Sequence, residues 1–194
     1  MQAAVREGLR ETGITIMRMV LALDAGPIVL QARTTIASDE TAGELELRLS
    51  ELGAMALIEA ITLIQFGQQS ERPQDDAAAT YAPKIERAMA RVDWQEGCGV
   101  VARTIRAYDP RPGAFTTHRG ADLKLFGAVE TEEAGDEGST PFGTILDIDE
   151  HGMLVACGDG AVRVSQVTPA GKKRLSAAEW LRGRGVATGE RLGG

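Results

Sequence analysis

Hydrophobic and polar positions follow two different periods in the first third of the chain. The run "ITIMRMV" and residues 28–36 are apolar and β-branched, which predicts two strands. The stretch "SDETAGELELRLSELGAMALIEAITLIQFG" instead places apolar residues from Leu45 to Ala56 on one face at helical spacing, and Gly67 ends the pattern. This part of the chain is therefore predicted to form a strand pair and one long helix, after a short helix in residues 1–9.

The pattern changes in the middle of the chain. The stretch "QQSERPQDDAAATYAP" has the proline, glutamine, aspartate and alanine content of a linker, and residues 76–92 are predicted to link two domains. A helix over about 95–107 is predicted next, with Asp93 and Glu96 at capping-box spacing. Short apolar runs such as "LKLFGAVE", "GMLVAC" and "AVRVSQVT" follow at roughly ten-residue spacing, which predicts a small antiparallel barrel. The helix "SAAEWLRGR", with its own capping box, closes the chain.

The predicted strand pair and long helix cannot bury their hydrophobic faces alone. An isolated two-stranded ribbon is only marginally stable in water. We therefore expect either that residues preceding Met1 complete this region or that the chain pairs with another chain.

Composition places the chain among ordinary soluble proteins. Its 194 residues are 43% hydrophobic and 25% charged, and no apolar run approaches the roughly 18 residues of a membrane span. The start "MQAAVREGLRETG" carries acidic residues and no apolar core, unlike a signal peptide. Cys98 and Cys157 lack metal-ligand spacing and are interpreted as buried or half-buried thiols. We expect a cytoplasmic protein with no membrane partner and no metal site.

Charge is distributed unevenly along the chain. The net charge is −7, yet residues 160–194 carry seven lysines or arginines against only Glu179 and Glu190. Residues 130–150 carry eight acids and no basic residue, and their segment "ETEEAGDEGST" is predicted to be an exposed loop. The basic end either faces a phosphate backbone or is simply solvated, and composition does not choose between the two.

One carboxylate interrupts the apolar run "MVLALDAGPIVL" between the two predicted strands, and Asp24 has two interpretations. In the first, Asp24-Ala25-Gly26-Pro27 is a turn whose aspartate accepts hydrogen bonds from its own backbone. In the second, apolar walls at a strand end hold the carboxylate in an environment that makes an acid or base useful. Local sequence does not separate these interpretations.

Four segments in fixed order resemble one family. The segments "ETGITIMRMVLALDAGPIVL", "YAPKIERAMARVDW", "IRAYDPRPGAF" and "TPAGKKRLSAAEWL" are similar in sequence and spacing to the C-terminal two-thirds of methionyl-tRNA formyltransferases. The resemblance covers nearly all of residues 3–185. It implies an α/β fold for residues 1–75, the tail of a Rossmann-like formyltransferase domain, and a small all-β OB-like barrel with flanking helices for residues 93–194. It also implies a monomer for the full-length protein.

The resemblance gives Asp24 a catalytic role. In the family this carboxylate acts with an asparagine and a histidine while the methionyl amine of initiator tRNA attacks the formyl carbon of 10-formyltetrahydrofolate. The histidine takes the proton of the amine, and the asparagine stabilises the developing oxyanion. This chain has no matching Asn-x-His stretch, and His118 and His151 are interpreted as surface residues at a strand end and in a turn. The chain is therefore expected to be an inactive fragment that lacks most of the folate site.

The resemblance also implies a tRNA-binding surface. The candidates for phosphate contact are the basic residues Lys84, Arg103, Arg106, Arg111, Lys172, Lys173 and Arg174. Because no aromatic residues are interleaved with them in a way suited to base stacking, we expect backbone-driven, salt-sensitive binding, and no DNA partner. Two alternatives stay open: a non-catalytic tRNA-binding module, and a related sugar formyltransferase or formyltetrahydrofolate hydrolase.

Overall fold

The computed structural model describes residues 1–131 and 140–193, and it contains two compact units. The sheet unit comprises Met1–Gly8, Asp39–Gly43 and Ile85–Gly194. The ribbon unit comprises Leu9–Ser38 and Glu44–Lys84. Most of the predicted acidic loop falls on residues 132–139, which lie outside the described residues. The domain boundaries expected from the sequence stay predictions.

The ribbon unit contains the predicted strand pair. β1 (Glu11–Met17) and β2 (Ile28–Thr35) are antiparallel, with Glu11 opposite Thr35. The sequence pattern predicted the first strand over 14–20, but the chain leaves the ribbon earlier. The register shifts between Ile16 and Met17, and the connecting loop begins after one further cross-strand hydrogen bond, from the N–H of Arg18 to the carbonyl oxygen of Pro27 at 3.0 Å.

The predicted long helix is α2 (Ala42–Gln65). Leu45 and Ala60 are fully buried, whereas Ile58 is 68% exposed. Gly67 ends the helix in the left-handed conformation, with φ +65°, and its N–H donates to a carbonyl of the last turn. The helix also exposes further large apolar side chains, which are Leu47, Met55, Leu57, Ile61 and Ile64. These residues form an exposed apolar face of α2, the kind of surface on which another element can pack.

The sheet unit contains one antiparallel sheet. Its strands are β3 (Ala114–His118), β4 (Ala121–Thr131), β5 (Ile145–Ile148), β6 (Met153–Cys157), β7 (Gly160–Pro169) and β8 (Leu175–Ser176). The order is β3-β4-β7-β6-β5, and β8 pairs with β7. The predicted antiparallel, all-β character is confirmed. No strand pair within residues 1–131 and 140–193 closes this sheet, so the OB-like barrel is not confirmed.

Among the described residues of this unit, three α-helices accompany the sheet: α1 (Gln2–Arg6), α3 (Cys98–Ala107) and α4 (Ala177–Arg182). α4 begins with the predicted capping box, because the Ser176 hydroxyl accepts from the N–H of Glu179 while the Glu179 carboxylate accepts from the N–H of Ser176. In the described parts of the chain, no helix combines the length and apolarity that crossing a bilayer requires.

The capping box predicted for α3 is wrong. The N-cap residue of this helix is Gly97, and the Asp93 carboxylate accepts instead from the N–H of Gln95 at 3.0 Å. The first N–H of α3, that of Cys98, donates to the Asp159 carboxylate at 2.6 Å, and this hydrogen bond lowers the pKa of that carboxyl. The cap therefore comes from the β6–β7 turn, which local sequence does not show.

A buried carboxylate joins three parts of the sheet unit. Asp109 is 5% exposed, and its Oδ2 accepts from the N–H of Gly127 on β4 at 3.0 Å. The guanidinium of Arg174, between β7 and β8, donates to both carboxylate oxygens at 3.1 and 3.4 Å and lies 4.0 Å from the ring centroid of Phe126. The backbone carbonyl of Asp109 accepts from the N–H of Gly43 at 3.0 Å. These contacts make Asp109 a shared acceptor for segments distant in sequence.

The first prediction concerns this carboxylate. Asp109→Ala should lower the free energy of unfolding of the sheet unit by about 2–4 kcal/mol, because it leaves Arg174 and the N–H of Gly127 without their acceptor. Urea denaturation followed by tryptophan fluorescence measures the change. Glu150→Ala is the matched control, since it removes a solvent-exposed contact with His151 in the same sheet unit, and such exposed pairs contribute about 0–1 kcal/mol. Equal effects of the two substitutions would contradict the assigned role of Asp109.

Candidate functional site

Asp24 lies in the loop that connects β1 and β2 in the ribbon unit. Its backbone is in the left-handed region, with φ +52°. The loop is tight at Gly26, where an added Cβ would lie 1.7 Å from the carbonyl oxygen of Arg18, so only glycine fits there. Gln74 holds the loop from outside, because its amide nitrogen donates to the carbonyl oxygens of Asp24 at 2.7 Å and Gly26 at 2.8 Å.

The Asp24 carboxylate is exposed, and no described residue donates a hydrogen bond to it. The turn interpretation required the side chain to accept from its own backbone, which is not observed. The apolar enclosure of the second interpretation is not formed either, although its side chains are present in the loop: Met19 is 90% exposed and Leu23 is 92% exposed. The loop therefore presents a carboxylate among exposed apolar side chains, without structural partners of its own.

The loop is anchored at its first residue by an ion pair. The Arg18 guanidinium donates to the Glu71 carboxylate through Nε at 2.9 Å, and this hydrogen bond lowers the pKa of Glu71 and raises that of Arg18. Both partners lie in the ribbon unit, as does Gln74. The segment after α2 thus fixes the backbone that carries Asp24.

The two histidines belong to the sheet unit. His118 was expected at the surface, but it is 8% exposed, because its Nε2 lies 2.6 Å from a carboxylate oxygen of Glu190 and its ring packs edge-on against Trp180 at 4.9 Å. His151 is exposed in the β5–β6 turn, as expected. His118 therefore has a structural role, because its contact with Glu190 joins the C-terminal segment to β3.

The cysteines are buried, as predicted, and lie side by side. The Sγ atoms of Cys98 and Cys157 are 2.9 Å apart, and burial raises the pKa of both thiols. Across residues 1–131 and 140–193, no group of histidine, cysteine, aspartate and glutamate side chains is arranged to hold a metal ion.

The predicted tRNA-binding residues fall into two groups. Four of them are exposed and make no side-chain hydrogen bond or ion pair with a described residue: Lys84 in the ribbon unit, and Arg111, Lys172 and Lys173 in the sheet unit. Lys172 and Lys173 lie in the β7–β8 turn, where the N–H of Lys172 donates to the carbonyl of Pro169 at 3.0 Å. These side chains are accessible to a phosphate backbone.

The other three arginines have partners within the sheet unit. Arg106 is 6% exposed, donates to the carbonyl oxygen of Ala128 at 3.0 Å, and has its pKa lowered by burial. Arg103 donates to the carbonyl oxygen of Arg6 at 3.3 Å, and Arg174 is bound by Asp109. The guanidinium of Arg106 is enclosed in this structure and is not presented to a phosphate, so its expected phosphate contact stays a prediction.

A cavity of about 280 Å³ in the sheet unit involves residues that the sequence did not single out. Its lining includes Arg87, Pro112, Phe115, Asp122 and Lys124. The Arg87 guanidinium lies over the Phe115 ring, 4.7 Å from its centroid, and forms an ion pair with Asp122. Alternation along "GAFTTH" places Phe115 on the outward side of β3, but nothing in that run indicates an arginine beside it.

Comparison with known proteins finds family matches in both the N-terminal and the C-terminal part of the chain. A family model described as "Formyl transferase, C-terminal domain" matches residues 84–185, and one described as "Formyl transferase" matches residues 1–61. The methionyl-tRNA formyltransferase of Magnetococcus marinus is 40% identical over 192 residues, which are 99% of this chain and 60% of that protein. That of Aromatoleum aromaticum is 42% identical over 189 residues, 97% of this chain and 58% of that protein. The chain thus spans about three-fifths of the curated relatives that it matches.

Solved structures show the same fold. HypX from Aquifex aeolicus in complex with tetrahydrofolic acid matches with a TM-score of 0.71 and 23% identity, over 93% of this chain and 31% of that one. A methionyl-tRNA formyltransferase from Clostridium thermocellum matches with a TM-score of 0.55 and 18% identity, over 67% of this chain and 56% of that one. At these identities the likeness concerns the fold alone.

The second prediction tests how the Asp24 loop is held. Gln74→Glu should free the loop, because a carboxylate cannot donate to the carbonyls of Asp24 and Gly26, and two hydrogen bonds worth about 1 kcal/mol each are lost. Hydrogen exchange should show faster exchange for loop amides, including the N–H of Arg18. Gln68→Glu is the control, since that exposed side chain has no such contact. Unchanged protection in Gln74→Glu would show that the loop is held by other contacts.

Proposed function

The chain belongs to the formyl transferase family, and we propose that it serves formyl transfer from 10-formyltetrahydrofolate to the amino group of initiator methionyl-tRNA. The observation that carries this proposal is the similarity to methionyl-tRNA formyltransferases such as those of Magnetococcus marinus and Nitrosospira multiformis, which are about 40% identical over nearly the whole chain. Sugar formyltransferases share the fold, as WlaRD does at 16% identity, but the likeness to them is much weaker. The basic β7–β8 turn also favours a polyanionic substrate.

In the proposed reaction, this chain supplies one catalytic carboxylate, that of Asp24. When bound, the folate donor supplies the formyl carbon that the methionyl amine attacks, and the amine must be neutral to do so. The Asp24 carboxylate, exposed and without a hydrogen-bond donor among the described residues, is suited to accept a hydrogen bond from an imidazole N–H. An imidazole oriented in this way takes the proton of the amine through its other nitrogen. The exposed apolar side chains beside Asp24 would exclude water from the reacting atoms.

This chain does not supply the other two groups of the proposed catalytic trio. It contains no asparagine, and His118 is bound to Glu190 in the sheet unit. A single member of a catalytic constellation contributes little without the others. We therefore expect the 194-residue chain to transfer no formyl group by itself. We also propose that residues of the ribbon unit belong to a larger Rossmann-like domain, which the exposed apolar face of α2 supports.

The third prediction is an activity assay. The chain is assayed alone and fused to the upstream Asn-x-His portion of a relative, with charged initiator tRNA and 10-formyltetrahydrofolate. We expect transfer only from the fusion, and we expect Asp24→Ala in the fusion to lower kcat by about 10²- to 10⁴-fold, the usual contribution of general-base catalysis. Asp76→Ala, which removes another exposed carboxylate of the ribbon unit, should leave kcat unchanged. Transfer by the chain alone would overturn the proposed division of roles.

The fourth prediction concerns the tRNA surface. Lys172→Ala with Lys173→Ala should weaken tRNA binding and reduce the slope of log affinity against log salt by about 2, because two phosphate contacts are lost. Filter binding or fluorescence anisotropy at several salt concentrations measures this slope.

The matched control for charge is Arg182→Ala with Arg184→Asn. It removes two exposed basic residues from the same segment, and asparagine tolerates the left-handed backbone of Arg184. If both double variants change the slope equally, the effect is one of net charge and the β7–β8 turn is not a specific contact. Salt-sensitive tRNA binding without any formyl transfer in the fusion would favour the alternative, a non-catalytic tRNA-binding module.

A further inference from the structure

The cavity beside Phe115 presents an accessible aromatic ring, that of Phe115, on the outward face of the sheet. Two arginine–phenylalanine stacks lie on the sheet unit: Arg174 over Phe126, and Arg87 over Phe115. Phe126 is 4% exposed and its arginine is held by buried Asp109, so that stack is part of the fold. Phe115 is only half-buried, and it lines an open cavity of about 280 Å³.

The partner of Arg87 holds it weakly. Arg87 and Asp122 form an ion pair whose side chains are 71% and 48% exposed, and such exposed pairs contribute little to stability. A ligand can therefore displace this contact without disturbing the core. A guanidinium over a phenyl ring presents a flat cationic surface, on which unpaired bases of RNA commonly stack.

The strand register places the cavity beside the proposed phosphate contacts. Phe115 on β3 is opposite Lys124 on β4, and Lys124 is opposite Thr168 on β7. Lys172 and Lys173 follow β7 directly in the β7–β8 turn, so cavity and turn lie at the same end of the sheet. The Lys124 ammonium, held on the Pro112 carbonyl oxygen at 2.7 Å, adds positive charge at the cavity itself.

We propose that this cavity binds one unpaired nucleotide of the tRNA. The base stacks on the Arg87–Phe115 pair, and its phosphates are attracted by Arg87, Lys124 and the β7–β8 turn. Pro112 and the Phe115 ring provide apolar walls for a planar ring, and lysine and arginine outnumber the single carboxylate of Asp122 in the lining. This inference rests on the proposed function, since it names the site at which the same substrate is held. It also replaces the sequence-based expectation that base stacking plays no part.

The test separates stacking from charge. Phe115→Leu keeps an apolar side chain of similar size and removes the aromatic face, and Arg87→Lys keeps the charge and removes the planar guanidinium. Each should weaken binding of an initiator tRNA transcript by about 5- to 150-fold, the range expected for one lost base–aromatic stack. The salt slope should stay unchanged, and Phe115→Trp should restore affinity. Arg91→Lys is the control, because Arg91 is exposed nearby and lies over no ring among the described residues.

The same titrations with a six-nucleotide single-stranded RNA distinguish failure of this site from failure of the proposed function. If tRNA binds and Phe115→Leu binds it equally well at unchanged Tm, the site is wrong and the proposed function stands. If tRNA does not bind but the short RNA binds in a Phe115-dependent way, the nucleotide site stands and the tRNA role is wrong. If neither RNA binds, the site is overturned. It is also overturned if an oligoglutamate peptide competes with RNA equally well for wild type and for Phe115→Leu, because binding would then depend on charge alone.

Discussion

The sheet unit depends on one buried carboxylate. Asp109 lies two residues after the end of α3, and burying its charge is tolerable only because Arg174 and the N–H of Gly127 satisfy it. This requirement fixes where β4 and the β7–β8 connection can lie relative to the end of α3. Arg174 in turn covers Phe126, so a single ion pair also closes part of the apolar surface. The basic turn that carries Lys172 and Lys173 is positioned by its neighbour Arg174, whose own charge is thereby used in the fold.

Elements whose signals are local were predictable from the sequence. β2, α2 with its glycine stop, and the capping box of α4 all depend on residues within a few positions of each other, and the structure contains each of them. The α3 cap was missed because its acceptor, Asp159, lies far along the chain. Barrel closure was expected from the spacing of short strands, but spacing does not specify which edges pair.

The candidate site shows the same limit. Lys172, Lys173, Arg106 and Arg174 are all basic side chains. The two lysines are exposed without side-chain partners among the described residues, whereas Ala128 engages Arg106, and Asp109 engages Arg174 although that side chain is still 39% exposed. Residue type indicates the kind of chemistry available, and only tertiary partners decide whether it is available to a ligand. Phe115 and Arg87 illustrate the converse case, because a stack between separated segments makes a surface that neither segment indicates alone. Asp24 was identified through family resemblance, and the structure adds that nothing described in the ribbon unit engages its carboxylate.

The remote cap of α3 also bears on the order in which the chain folds. The N–H of Cys98 and the carboxylate of Asp159 are 61 residues apart in sequence, so closing that contact must wait until the β6–β7 hairpin has formed and docked. A helix of ten residues is marginal without such support. α3 should therefore gain its full helicity late, together with the hairpin, so that the amphipathic segment leading to Asp109 becomes ordered in the same cooperative step as the sheet on which it packs.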